Sequence, residues 1–131
     1  MRGKLIKFTV DLPPITKKNH QRILKAGNGK RFVAPSQQYK DYEETALWYI
    51  PRNIPTINYK VNVKCLFYMP TKRRCDLTNL LESIDDIMVK GGLLEDDNYN
   101  IIASHDGSRV CYDKDKPRTE IYITKFNEMD G

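Results

Sequence analysis

The stretch YKVNVKCLFYMP, residues 59–70, leaves this chain the least freedom. Tyr59, Val61, Val63, Cys65, Phe67 and Met69 point one way and Lys60, Asn62 and Lys64 the other, which is the two-residue period of a β-strand with one buried face. Pro70 closes it. Such a strand needs partners and a layer to cover its apolar side. KLIKFTVDL near the amino end alternates in the same way, with Ile6, Phe8, Val10 and Leu12 on one face, and ends at Pro13-Pro14. Two further strands fit around 99–112 and 118–126, separated by the turn-like DKDKP.

The covering layer is expected from two helices. Ser36 is a good N-cap for the first, where Tyr39, Tyr42, Ala46, Tyr49 and Ile50 recur at helical spacing before Pro51. The second runs from about 77 to 90 and stops at Gly91-Gly92, with Leu77, Leu80, Leu81, Ile84, Ile87 and Met88 in one stripe. The order strand, helix, strand, helix, strand, strand predicts an α+β fold with a mixed or largely antiparallel sheet and two main helices packed on it. With 131 residues, one domain over 1–131 is expected, with a basic loop at 13–35 that is either mobile or a loose hairpin, a turn at Gly27-Asn28-Gly29, and a frayed tail at 127–131. Trp48 and the tyrosines of the first helix fall at core spacing, as core or dimer interface.

Charge is distributed unevenly. Seven carboxylates lie between Asp76 and Asp97 with only Lys90 among them, so that stretch carries −6 while the whole chain is +5. Residues 1–35 hold nine Lys or Arg against Asp11 alone, and Lys72-Arg73-Arg74 abut the acidic stretch. No apolar run approaches the roughly 18 residues of a membrane span, and the amino terminus lacks a signal peptide's apolar core, which predicts a cytoplasmic protein. Three cysteines without paired spacing fit a reducing compartment, and two histidines with no Cys-x-x-Cys argue against zinc. Of these, Cys75 reads as a small buried side chain, His105 as structural or a phosphate contact, and Glu95 as solvated.

On the second helix Thr78, Glu82 and Asp86 follow at i+4 steps opposite the apolar stripe, and Asp76 sits where it would cap the helix. Glu82, Asp85 and Asp86 taken singly read as an ordinary polar helix face. GGLLE would turn the chain back toward the helix, so that Asp76 and Asp97 converge with Glu82 a turn away. Carboxylates without His or Cys suit a hard cation, Mg²⁺ or Mn²⁺. Such an ion, ringed by Lys and Arg that hold phosphates, is the requirement of a metal-dependent nuclease. No small-molecule organic cofactor is expected.

MPTKRRCDLTNLLESIDDIMVKGGLLEDDNYNI resembles the core of the RusA family of Holliday-junction resolvases, phage- and prophage-associated endonucleases, and LPPITKKNHQRI resembles the family's Pro-Pro segment. The resemblance implies a homodimeric, Mg²⁺-dependent enzyme that makes paired nicks in four-way DNA junctions during recombination and repair. By position it makes Asp76 and Asp97 metal ligands, with Asp96 beside them in the catalytic set and Asn79 and Asp86 in support. Two positions depart from the family: a motif aspartate is Thr78 here, and the catalytic lysine is Glu82. Because 78 and 82 are neighbours on one helix face, Glu82 is expected to replace the missing ligand. Lys72, Arg73, Arg74, Lys17 or Lys18 would then replace the missing cation. Lys17, Lys18, His20 and Arg22 read as a DNA-binding flap, in which His20 is not needed as a base. The alternatives are a non-catalytic junction-binding protein with a decayed site, a nuclease acting on other branched nucleic acids, and an acidic helix that binds a basic protein.

Overall fold

The computed structural model describes residues 5–17 and 21–127. In chain order they form β1 (Ile6–Val10), β2 (Gln21–Lys25), β3 (Arg31–Pro35), α1 (Gln37–Leu47), β4 (Val61–Met69), α2 (Leu77–Lys90), β5 (Ile102–Ser104), β6 (Arg109–Tyr112) and β7 (Arg118–Lys125). The architecture is α+β, as the alternation of elements predicts. The alternating strand at 59–70 becomes β4, the hub of a five-stranded mixed sheet. β7 lies antiparallel between β4 and β1. The other edge of β4 takes β5 in parallel at its start and β6 in parallel at its end.

Both helices cover one face of this sheet. Val63, Cys65 and Phe67 from β4, Ile121 and Ile123 from β7 and Val10 from β1 pack with Tyr39, Tyr42 and Ala46 of α1 and with Leu80, Leu81, Ile84, Ile87 and Met88 of α2. A 14-residue helix is marginal alone in water. Each large aliphatic side chain buried contributes roughly 1.5–3 kcal/mol, so the stripe anticipated at 77–90 is what holds α2.

The helix signals act as expected at their starts. Ser36 Oγ accepts the Tyr39 N–H at 3.1 Å, and Asp76 Oδ1 accepts the Thr78 N–H at 3.0 Å. Gly91, where a Cβ would come within 2.9 Å of Ile50, lets the end of α2 meet the segment after α1.

Two expectations need correction, and two left open are narrowed. α1 ends at Leu47, not Ile50, because Trp48, Tyr49 and Ile50 close tight three-residue turns ahead of Pro51. Trp48 is not core: it is 73% exposed, with the Arg52 guanidinium 5.2 Å from its ring. Residues 99–112 are two strands, because a turn at 105–108, with Gly107 at φ +87°, breaks them. Much of the basic segment 13–35 is a β2–β3 hairpin with antiparallel register, turning where Gly27-Asn28-Gly29 signals it. Lys18, His20 and most of the tail fall outside the described residues. Among the described residues no helix is long and apolar enough to cross a membrane.

Candidate active site

The acidic stretch occupies α2 and the loop that follows it. Asp76 has the extended backbone of an N-cap (φ −105°, ψ 115°). Its Oδ1 also accepts the Thr78 hydroxyl at 2.6 Å. A carboxylate at 78 would repel Asp76, whereas the threonine donates to it and fixes its rotamer. Arg74, Cys75, Asp76, Leu77 and Asn79 line an open hollow at this end of the helix, and Cys75 is half-buried, not buried. Lys72, Arg73 and Arg74 are exposed on the approach to it, the Lys72 ammonium 5.0 Å from the Tyr112 ring.

Glu82 is exposed one turn beyond Thr78. Asp86 is clasped instead: Lys90 Nζ lies 3.4 Å from its Oδ2 and 3.0 Å from Glu43 Oε1 of α1. The Lys17 N–H donates to Ser83 Oγ at 3.1 Å. This bond seats the segment after Pro13-Pro14 on the middle of α2, one residue from Glu82, and brings part of the basic amino-terminal region to the acidic helix. Arg22 is placed on β2 by its backbone.

The returning loop is anchored by backbone. Leu93 N donates to Met88 O at 3.0 Å, Ile57 N to Leu93 O at 2.8 Å and Glu95 N to Ile57 O at 3.0 Å. Within it Asp96 is a loop-former: its Oδ1 accepts the Asp97 N–H at 2.7 Å and its Oδ2 accepts Asn98 Nδ2 at 2.9 Å. Asp97 and Glu95 are exposed. The Asp97 carboxyl is pushed above the ordinary carboxylate range, first by desolvation, then by the Asp96 carboxylate beside it, with a further contribution from Asp86.

Sequence reasoning missed Asp85. Instead of standing on a solvated face, it is 6% exposed and turned toward the sheet, where His105 Nε2 lies 2.7 Å from its Oδ2. Its Oδ1 has no hydrogen-bond partner among the described residues. Burial raises its pKa, His105 opposes that rise, and the Asp97 charge adds to it. The available signal was its spacing: 85 is four residues after Leu81 and three before Met88, on the flank of the apolar stripe. His105 is therefore tied into the fold by this contact, just after β5.

The loop thus brings Asp97 to the Asp85–Asp86 level of α2, while Asp76 caps the far end. About 13 Å of helix axis separates positions 76 and 85. Among the described residues, no group of three or more His, Cys, Asp or Glu is arranged to hold a metal ion. Asp76 caps α2, Glu82 stands on it, and Asp97 belongs to the loop that follows it. The donor chemistry still suits a hard cation at Asp96–Asp97, where crowded carboxylates raise a pKa that a positive ion would lower.

Residues 11–124 match the family model described as endodeoxyribonuclease RusA. A curated relative, the crossover junction endodeoxyribonuclease RusA of Aquifex aeolicus (strain VF5), is 30% identical over 87 residues, which span 65% of this chain and 66% of the relative. With α2 and its following loop inside the matched span, the chain belongs to the endodeoxyribonuclease RusA family.

Proposed function

We propose that this protein is a metal-dependent endodeoxyribonuclease that cuts four-way DNA junctions as a homodimer, in the cytoplasm, in the service of recombination and repair. Family membership and the activity for which the relative is named support the reaction class. The observation that supports the site is the Asp96–Asp97 pair of adjacent carboxylates on a loop anchored by backbone bonds to the end of α2, with Asp96 Oδ1 accepting the Asp97 N–H at 2.7 Å. Two nicks related by symmetry call for a twofold dimer.

Mg²⁺ is the ion proposed, with Mn²⁺ as substitute, held by Asp97, by Asp76 following the family motif, and by Glu82 in place of the motif ligand that Thr78 lacks. When bound, it would polarise the scissile phosphodiester and activate water. The protein's own residues do the rest. Asp96 shapes the loop that presents Asp97, and Thr78 holds Asp76 in one rotamer. Asn79 lines the hollow beside Asp76, and Asp86 ties α2 to α1 through Lys90. Lys17, seated on α2 by the Ser83 bond, is the best-placed described replacement for the family's lysine. Lys72, Arg73 and Arg74 flank the Asp76 end and hold phosphates; Lys18 and Arg22 belong to the same proposed DNA contact.

The test is cleavage of a labelled synthetic four-way junction and a matched duplex, with Mg²⁺ or EDTA, by the natural protein and by Asp97→Asn. Symmetric nicks that require the metal and fall at least about 100-fold in the variant are expected. A second reading has an observation in its favour, since no three-ligand group closes among the described residues: a junction-binding protein without activity. Tight binding with no cutting in Mg²⁺ or Mn²⁺ would establish it.

A further inference from the structure

The face of the sheet turned away from the helices has a charge pattern of its own. Three rows of side chains cross it in register. Lys7 and Lys64 flank Tyr122, their ammonium groups 5.2 and 5.3 Å from its ring centroid. In the next row Glu120 lies opposite Leu66, and Leu66 opposite Arg109. In the third, Arg118 lies opposite Tyr68, the guanidinium 3.9 Å from the ring.

These groups are held in place. Arg118 bonds Glu120 at 2.8 Å and Asp113 at 2.9 Å, and the Tyr122 hydroxyl donates to Glu120 at 2.8 Å. The two carboxylates thus share Arg118, one positive charge between them. Lys7, Lys64 and Arg109 make no ion pair with a described carboxylate. The stem of Lys64 lies over Gly107, where a Cβ would come within 3.1 Å of it. The single large aliphatic side chain in these rows, Leu66, is buried among the others at 7% exposure and belongs to no part of the core under the helices.

This chemistry selects an occupant. An apolar protein surface would find nothing to bury against, since Leu66 is already covered. Unpaired bases would find the faces of Tyr122 and Tyr68 occupied by cations, which disfavours stacking. Three cations that form no ion pair among the described residues remain, held on adjacent strands of the sheet, with Lys7 also acting at longer range on Glu120. Lys7 and Arg109 sit three strand spacings and one row apart, about 16 Å in all, a span over which separate phosphates of one duplex can be contacted.

We propose that Lys7, Lys64 and Arg109 form a second DNA-contacting face, which holds the phosphates of a duplex arm on the side of the sheet opposite Asp97 and Lys17. The identity of the nucleic acid rests on the function proposed above. A branched substrate has arms on more than one side, and a contact behind the sheet would grip one that the α2 face does not reach.

The test compares Lys7→Gln/Lys64→Gln/Arg109→Gln with a variant of equal charge loss elsewhere, Lys40→Gln/Lys114→Gln/Lys116→Gln. Affinity for a four-way junction and for linear duplex is measured from 50 to 300 mM salt, and folding is checked by circular dichroism. The face variant is expected to reduce the slope of log K against log salt by about 2–3, and the control by less than about 1. Equal slopes in the two variants overturn the proposal, as does an absence of DNA affinity in the natural chain. Cleavage by the natural chain is scored in parallel: binding with the expected slope change but no cutting would fail the nuclease reading alone.

Discussion

Replacing His105 with alanine removes the one hydrogen-bond partner of a buried carboxylate. Asp85 is 6% exposed, its Oδ2 meets His105 at 2.7 Å and its Oδ1 already goes unmatched among the described residues. A hydrogen bond to a charged group contributes about 1.5–3 kcal/mol, and loss of one partner leaves the other desolvated. His105 is 29% exposed, so water entering the vacated space would recover part of the loss, and about 2 kcal/mol is expected at pH 7.5. Urea unfolding, with a slope of about 2 kcal/mol/M, would show this as a midpoint lower by about 1 M. Asp85→Leu in the His105→Ala background should recover most of it, because an apolar side chain needs no partner there.

The pH dependence gives an independent check. Burial first of all raises the folded Asp85 pKa above its ordinary 3.8, so ionisation at this site opposes folding. The stability associated with a protonated Asp85 is fully present below the unfolded value and is lost as pH rises through the folded one. Without His105 the folded value rises further. The gap between variant and natural protein should therefore be largest at neutral pH and shrink toward pH 4. A neutral His105→Ala at pH 7.5, or a loss that does not change with pH, would refute the reasoning.

Other consequences follow from the same contacts. Ser36→Ala removes the N-cap of α1 and should cost about 1 kcal/mol, measured as a lower urea midpoint with unchanged slope. Arg118→Gln acts through Glu120: burial raises that carboxyl's pKa, but the hydrogen bonds from Arg118 and Tyr122 outweigh it, so the folded value lies below the ordinary 4.5. The stability it provides is present above the unfolded value and lost as pH falls through the folded one. Arg118→Gln is accordingly expected to cost about 0.5–1 kcal/mol at pH 7 and little near pH 3, read from thermal unfolding at both.

Periodicity alone determined the elements that bury one face. β4 and α2 each present an unbroken apolar stripe, and Ser36, Asp76, Gly27-Asn28-Gly29 and Gly91-Gly92 mark local turns and caps, whose physics lies within a few residues. The ordered motif between Met69 and Asp97 likewise carried the family, since spacing along the chain is itself a sequence property. Tertiary structure decided what depends on partners remote in sequence. Trp48 has core spacing yet lies beyond the end of α1, where it stays 73% exposed beside Arg52, while Asp85, one residue from the apolar stripe, is drawn inward by a histidine 20 residues away. Backbone bonds among Met88, Leu93, Ile57 and Glu95 fix where the loop after α2 returns, and they bring the Asp97 charge within reach of Asp85 and Asp86 on that helix. The cationic rows behind the sheet exist only through strand register: Lys7, Lys64 and Tyr122 are far apart in the chain, and only the pairing of β1, β7 and β4 sets them side by side.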